Sequence, residues 1–277
     1  MGVPLSTACC CTVGDPDGCV EQLRTGRVVE QQAAAAGIAS IARRKVQRRS
    51  QWMADAVPLL VQAVTRGESM DLREHAARAL ANLPMCDAAN AQTIVDAGGV
   101  QALVYLLGVE SYGCRAQAAR ALGNMCVVSK AAARKILHGG AVQPLLTALL
   151  TDEAPIAGIN LSVEAAVALA NFSSVDATQK GDSMETHCRN AVLQSAVVIP
   201  GLQHLAASED SQTKAAARRA LLALAQGSMR ARQALEACES QQLDTARSAP
   251  SPRSPQRLEP EVTEKVFGRK SPMVTVR

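Results

Sequence analysis

Small apolar residues and single polar residues alternate along this chain in blocks of one recurring shape. Three blocks read Ala76-Ala-Arg78-Ala-Leu-Ala-Asn82-Leu, Ala118-Ala-Arg120-Ala-Leu-Gly-Asn124-Met and Ala165-Ala-Val167-Ala-Leu-Ala-Asn171-Phe. Residues four apart share a helix face, so Arg78 stands with Asn82, Arg120 with Asn124 and Val167 with Asn171, while alanine and leucine supply the apolar side. A degraded copy, Ala217-Arg-Arg219-Ala-Leu-Leu-Ala223-Leu, pairs Arg219 with Ala223, and Ala34-Ala-Ala-Gly-Ile-Ala-Ser40-Ile stands upstream. The pattern predicts five helices of one kind.

The blocks keep step. Ser40, Asn82 and Asn124 are evenly spaced, and Asn171 and Ala223 follow at intervals lengthened by short insertions. A second apolar anchor moves with the first: Val100-Gln-Ala-Leu103 is matched by Val142-Gln-Pro-Leu145 at the same even interval and by Ile199-Pro-Gly-Leu202 after one that contains both insertions. Val57-Pro-Leu-Leu60 and Val20-Glu-Gln-Leu23 extend that series backwards. Two anchors in one register predict an all-α array, because a helical unit repeated at such a period buries its apolar face only by stacking on its neighbours.

The same register gives the domain organisation. Residues 1–18 form an N-terminal segment and 19–41 a partial repeat that lacks its first helix, either a cap or the edge of a longer array. Complete repeats are expected over 42–84, 85–126, 127–173 and 185–226, with an inter-repeat loop at 174–184, a closing helix at 227–239 and a disordered basic tail at 240–277. An insertion, Thr151-Asp-Glu-Ala-Pro-Ile-Ala-Gly158, lengthens one turn inside a repeat. Pro58, Pro144 and Pro200 are placed near the starts of second helices, where a missing backbone donor costs least. Trp52 is placed as a packing residue at the end of the first helix of the first complete repeat.

With the Gly-Gly turns Ala97-Gly-Gly-Val100 and Gly139-Gly-Ala-Val142 and a last helix of the form Ala-Ala-x-Ala-Leu-x-Asn-Leu, residues 19–239 resemble the armadillo family. The resemblance implies a right-handed superhelical solenoid of three-helix repeats whose third helices line a concave groove. It also implies that the asparagine column meets the backbone of an extended peptide there. Importin-α proteins carry tryptophan four residues before that asparagine; this chain has Arg78, Arg120, Val167 and Arg219. That departure argues against basic import signals and for an acidic or phosphorylated segment, as in grooves of the β-catenin type, with Arg78, Asn82, Arg120, Asn124, Val167, Asn171 and Arg219 as the peptide-groove set. A bland alternative leaves the asparagines bonding within their own repeat and the arginines solvated.

Composition changes this picture little. Hydrophobic residues make up 48% of the chain and aromatics 2%, so leucine, valine, isoleucine and alanine must fill the core. The nine cysteines show no zinc spacing and no secreted disulfide framework, which predicts reduced thiols in a cytoplasmic protein. Four scattered histidines, His75, His138, His187 and His204, offer no catalytic set, and no phosphate loop or metal motif is found. No enzyme activity, cofactor, metal or small-molecule substrate is therefore expected. The formal charge is +4, and residues 247–277 carry seven cations against three glutamates, so the repeats are near neutral and nucleic acid is not expected as a partner.

Peripheral signals complete the reading. Met1-Gly2 with Ser6 fits an N-myristoylation pattern, and Cys9, Cys10 and Cys11 offer S-acylation sites; together they would supply the two signals that stable membrane attachment needs. That order of parts resembles the vacuolar armadillo proteins that tether organelles, which would place the chain peripherally on an organelle membrane. Arg43-Arg-Lys-Val-Gln-Arg-Arg49 suits a nuclear address, an anionic lipid surface or a solvated helix face. Ser251, Ser254 and Ser271 each precede proline and fit proline-directed phosphorylation. The function expected is a protein-binding scaffold; the alternatives are a nuclear-transport adaptor and the substrate-binding part of a ubiquitin ligase.

Overall fold

A short polar side chain sets the start of most long helices. In the computed structural model, which describes residues 15–43, 51–86, 88–151, 155, 159–174 and 183–248, Asp15 accepts from the Gly18 amide at 3.1 Å and opens α1 (Pro16–Thr25). Four further caps, Ser69, Ser111, Asn160 and Asp210, accept from the amides of Leu72, Cys114, Val163 and Thr213. They open α4 (Met70–Asn82), α7 (Tyr112–Val128), α10 (Leu161–Ser173) and α13 (Ser211–Ala225). Each satisfies an amide that the first helical turn leaves without a partner.

The other helices fall between these in chain order: α2 (Val28–Arg43), α3 (Gln51–Arg66), α5 (Ala88–Asp96), α6 (Gly99–Leu107), α8 (Lys130–His138), α9 (Val142–Leu149), α11 (Ser183–Leu193), α12 (Val198–Ala206) and α14 (Met229–Ser248). A 3₁₀ turn, Leu83–Met85, follows α4. Three rows result. The long helices α2, α4, α7, α10 and α13 pack each on the next, α1, α3, α6, α9 and α12 form a second row, and α5, α8 and α11 a third. This is an all-α armadillo-type right-handed superhelical solenoid.

The turns carry the period. Gly98 and Gly140, at equivalent places in successive repeats, both have positive φ, the left-handed conformation that lets the chain reverse before α6 and α9. At the equivalent place before Val57 stand Asp55 and Ala56, with no glycine, and there the chain does not break: α3 runs unbroken from Gln51 to Arg66. Two expectations are corrected by this. Pro58 lies inside a helix instead of in its first turn, and Trp52 opens α3 as a buried residue instead of ending a preceding helix. Pro144 and Pro200 lie in the first turns of α9 and α12. The closing helix also overruns its expected end at residue 239, because Gln241 to Arg247 contains neither glycine nor proline to stop it.

The core is a continuous run of alanine, leucine, valine and isoleucine joined by few aromatics. Alanine lets the long helices approach closely. A Cβ added to Gly123 would lie 2.9 Å from the Ala168 Cα, so α7 and α10 nearly touch there. The described cysteines form no disulfide, and Cys19, Cys114, Cys126, Cys188 and Cys238 are buried. Burial pushes Cys188 up to about 11 and Cys126 well above its ordinary value, so neither is a ready thiolate at neutral pH. The helices up to residue 239 belong to one compact unit; of a second, residues 240–277, the described part is the end of α14.

Candidate functional site

The asparagine column lies between the long helices. Asn82 Nδ2 donates to the Ala39 carbonyl at 2.9 Å, Asn124 Nδ2 to Ala81 at 2.8 Å and Asn171 Nδ2 to Gly123 at 3.2 Å. Each amide thus reaches across one repeat to the carbonyl one residue before the preceding column position. Asn82 and Asn171 are 7% and 6% exposed, while Asn124 is half-buried. A stacking bond has taken one donor of each side chain. No described residue takes the Oδ1 of Asn82 or Asn124.

The series ends at α13, where Ala223 stands in the column. There Arg219 reaches back instead, its Nη2 donating to Asn171 Oδ1 at 2.8 Å. Arg78, half-buried, shares a 3.1 Å hydrogen bond with His75 Nδ1 on its own helix. The ring nitrogen must accept from a guanidinium that can only donate, so His75 is neutral there. Burial first, then the Arg78 charge, holds the His75 pKa below its usual value. Arg120 and Val167 complete the row, both half-buried.

Two further rows share this face, and neither was among the residues expected from the sequence. Three residues past the asparagine come Met85 and Val127, apolar and 45% and 56% exposed. Seven residues before it come His75, Gln117 and Glu164. Gln117 is 1% exposed and its Oε1 has no hydrogen-bond partner. The Glu164 pKa is raised, chiefly by burial, while the charge of Arg120 on the neighbouring helix pulls the other way. Positions −7, −4, 0 and +3 make one helical stripe, so the register that locates the asparagines is enough to find these rows.

The face therefore presents the half-buried Asn124 side chain, two adjacent arginines and two exposed apolar side chains. Among the described residues no cluster of three His, Cys, Asp or Glu side chains could hold a metal, and no helix is long and apolar enough to cross a membrane. Gly2, Cys9, Cys10, Cys11, Ser251, Ser254 and Ser271 lie outside the described residues, as do 44–50 of the basic run.

Comparison with known proteins agrees with this geometry. The family model described as Armadillo/beta-catenin-like repeat matches residues 87–127. A solved engineered protein is 28% identical, covers 86% of this chain and 90% of its own, and superposes with a TM-score of 0.68. A designed armadillo repeat protein in complex with the peptide (KR)4 is 22% identical over 84% of this chain and 92% of its own, with a TM-score of 0.65. ARO, an armadillo repeats only protein from Plasmodium falciparum, is 19% identical over 70% of this chain and 79% of its own, with a TM-score of 0.54. The search of curated proteins gives no match.

Proposed function

The chain belongs to the armadillo-repeat family, and from that premise we propose that the stripe along α4, α7, α10 and α13 docks an extended acidic or phosphorylated segment of another protein. The observation that carries the reading is the pair Arg78 and Arg120, at equivalent positions of adjacent long helices, each four residues before an asparagine whose Oδ1 accepts from no described residue. Arginine suits carboxylate and phosphate because its planar donors match two oxygens at once. Arg219, with one donor used on Asn171, has others to offer at the far end. A peptide such as the (KR)4 held by the designed protein would meet like charge at these positions.

Exposed ion pairs contribute only ~0.2–1 kcal/mol each, so no single arginine should decide binding. Arg78→Glu with Arg120→Glu adds repulsion at adjacent repeats and is expected to lower affinity for acidic peptides ~10-fold or more, with less loss at high salt. Asn124→Ala should weaken acidic and neutral peptides alike. The measurement is peptide-library binding at two salt concentrations, each variant checked by circular dichroism. Selection of lysine-rich peptides by the wild type would overturn the reading and favour a transport adaptor.

The same proposal places Gly2 and Cys9 to Cys11 as attachment points that bring the scaffold to a membrane. What supports it is the pattern alone, Met-Gly with Ser6 followed by three adjacent cysteines. Wild type should sediment with membranes and Gly2→Ala should not; equal partition of the two removes the tether and leaves the groove untouched.

A further inference from the structure

The two central arginines do not stand in open positive field. The Asn171 bond to the Gly123 carbonyl and the close approach of Gly123 to Ala168 set α7 and α10 level with each other. One turn towards the helix starts, that register brings Arg120 and Glu164 side by side. Glu164 is half-buried, and Arg120 is the cation whose charge acts on it, yet the two make no ion pair. Nearer the helix starts, the Glu74 carboxylate crosses from α4 to lie where a side chain at Gly113 of α7 would stand, and Asp71 is exposed at the start of α4. The arginine pair thus has a half-buried carboxylate beside it on the α10 side.

Resting on the groove reading above, we propose that this stripe accepts one anionic side chain, a carboxylate or a phosphate, between Arg78 and Arg120. Glu164 is then the specificity-determining residue that rejects a second anion on the α10 side. A ligand acid bound at Arg120 takes over the charge that offsets Glu164, and a further acid over α10 would face a carboxylate with little water to screen it. Val167, next along the stripe, offers that second acid no donor. Adjacent helices pack about 8–10 Å apart and an extended chain advances ~3.3 Å per residue, so the position over α10, one and a half spacings from an acid held between α4 and α7, lies about four residues from it and on the same face of the segment. The preferred ligand is therefore a segment anchored by one acidic or phosphorylated residue between α4 and α7 with no second acid over α10, not an acidic run.

The test uses the full chain and a panel of otherwise neutral peptides carrying one central Glu or phosphoserine, alone or with Glu or Lys four residues before or after it. Single-anion peptides should bind the wild type. A second Glu on one of the two sides should weaken binding ~10-fold, and Lys on that side should strengthen it. Glu164→Gln keeps the shape and removes the charge, so it should abolish that difference while still binding the single-anion peptide. Equal or tighter binding of the doubly acidic peptides by the wild type, or an unchanged ratio in Glu164→Gln, would overturn the proposal while leaving the groove reading in place. Binding of every peptide unaffected by Arg78→Glu with Arg120→Glu would instead overturn the groove reading, and this proposal with it.

Discussion

Glu164 shows how one carboxyl can work against the fold that holds it. Burial raises its pKa in the folded state above the unfolded value. Between those two values the folded chain binds the proton and the unfolded chain does not. The contribution of Glu164 to stability is therefore full below the unfolded pKa and is lost as pH rises through the folded one. Asp210 and Glu30 act in the opposite sense, their pKa values lowered by hydrogen bonds from Thr213 and Arg27 respectively. The whole-protein profile mixes both. The difference between wild type and Glu164→Gln isolates one group: the variant should have the higher Tm at pH 7, and its advantage should shrink as pH falls towards about 4.3. A constant difference across that range would show that glutamine acts through packing instead of charge.

At the scale of helices and turns, the paired anchors in the sequence locate the long helices, because leucine and asparagine recur wherever one helix must lie on the next. The caps were equally legible, since Ser69, Ser111 and Asp210 stand at one fixed distance before the column position and Asn160 slightly nearer to it. The unbroken α3 was legible in principle from the missing glycine at Asp55-Ala56. The stacking bonds of the asparagines were not legible, since a period states which residues are equivalent but not how close equivalent helices come. The turn residues give a direct check. A Cβ at Gly98 meets nothing within 4 Å, so Gly98→Ala isolates the cost of a positive φ, about 1–2 kcal/mol. Gly98→Asn should cost less, since asparagine tolerates that conformation. Gly99→Ala adds a collision with Ile94 and should cost more than either. Urea midpoints at unchanged m-value measure all three, and a Gly98→Ala variant as stable as the wild type would contradict the backbone account.

Across the whole array, stability passes only between neighbouring repeats, so each inter-helix bond acts locally. The asparagine series joins α2 to α4, α4 to α7 and α7 to α10, then stops, because Ala223 has no amide to reach the equivalent acceptor, the Ala170 carbonyl. That carbonyl already accepts from the Ser174 amide at 3.0 Å but has a second lone pair. The Arg219 bond to Asn171 spans the same gap from an exposed side chain that must be ordered to make it. The interface of α10 and α13 is thus the junction in the series held without a backbone-directed bond. Ala223→Asn should restore one, contributing about 1 kcal/mol. The position is 6% exposed, so the added amide must fit beside a closely packed helix. Hydrogen exchange reads the outcome by place: amides of α13 should gain roughly 5-fold protection, as ~1 kcal/mol requires at 25 °C, while those of α4 stay unchanged. Loss of protection confined to α13 would mean that the column position there has closed around alanine and that Arg219 is its settled replacement.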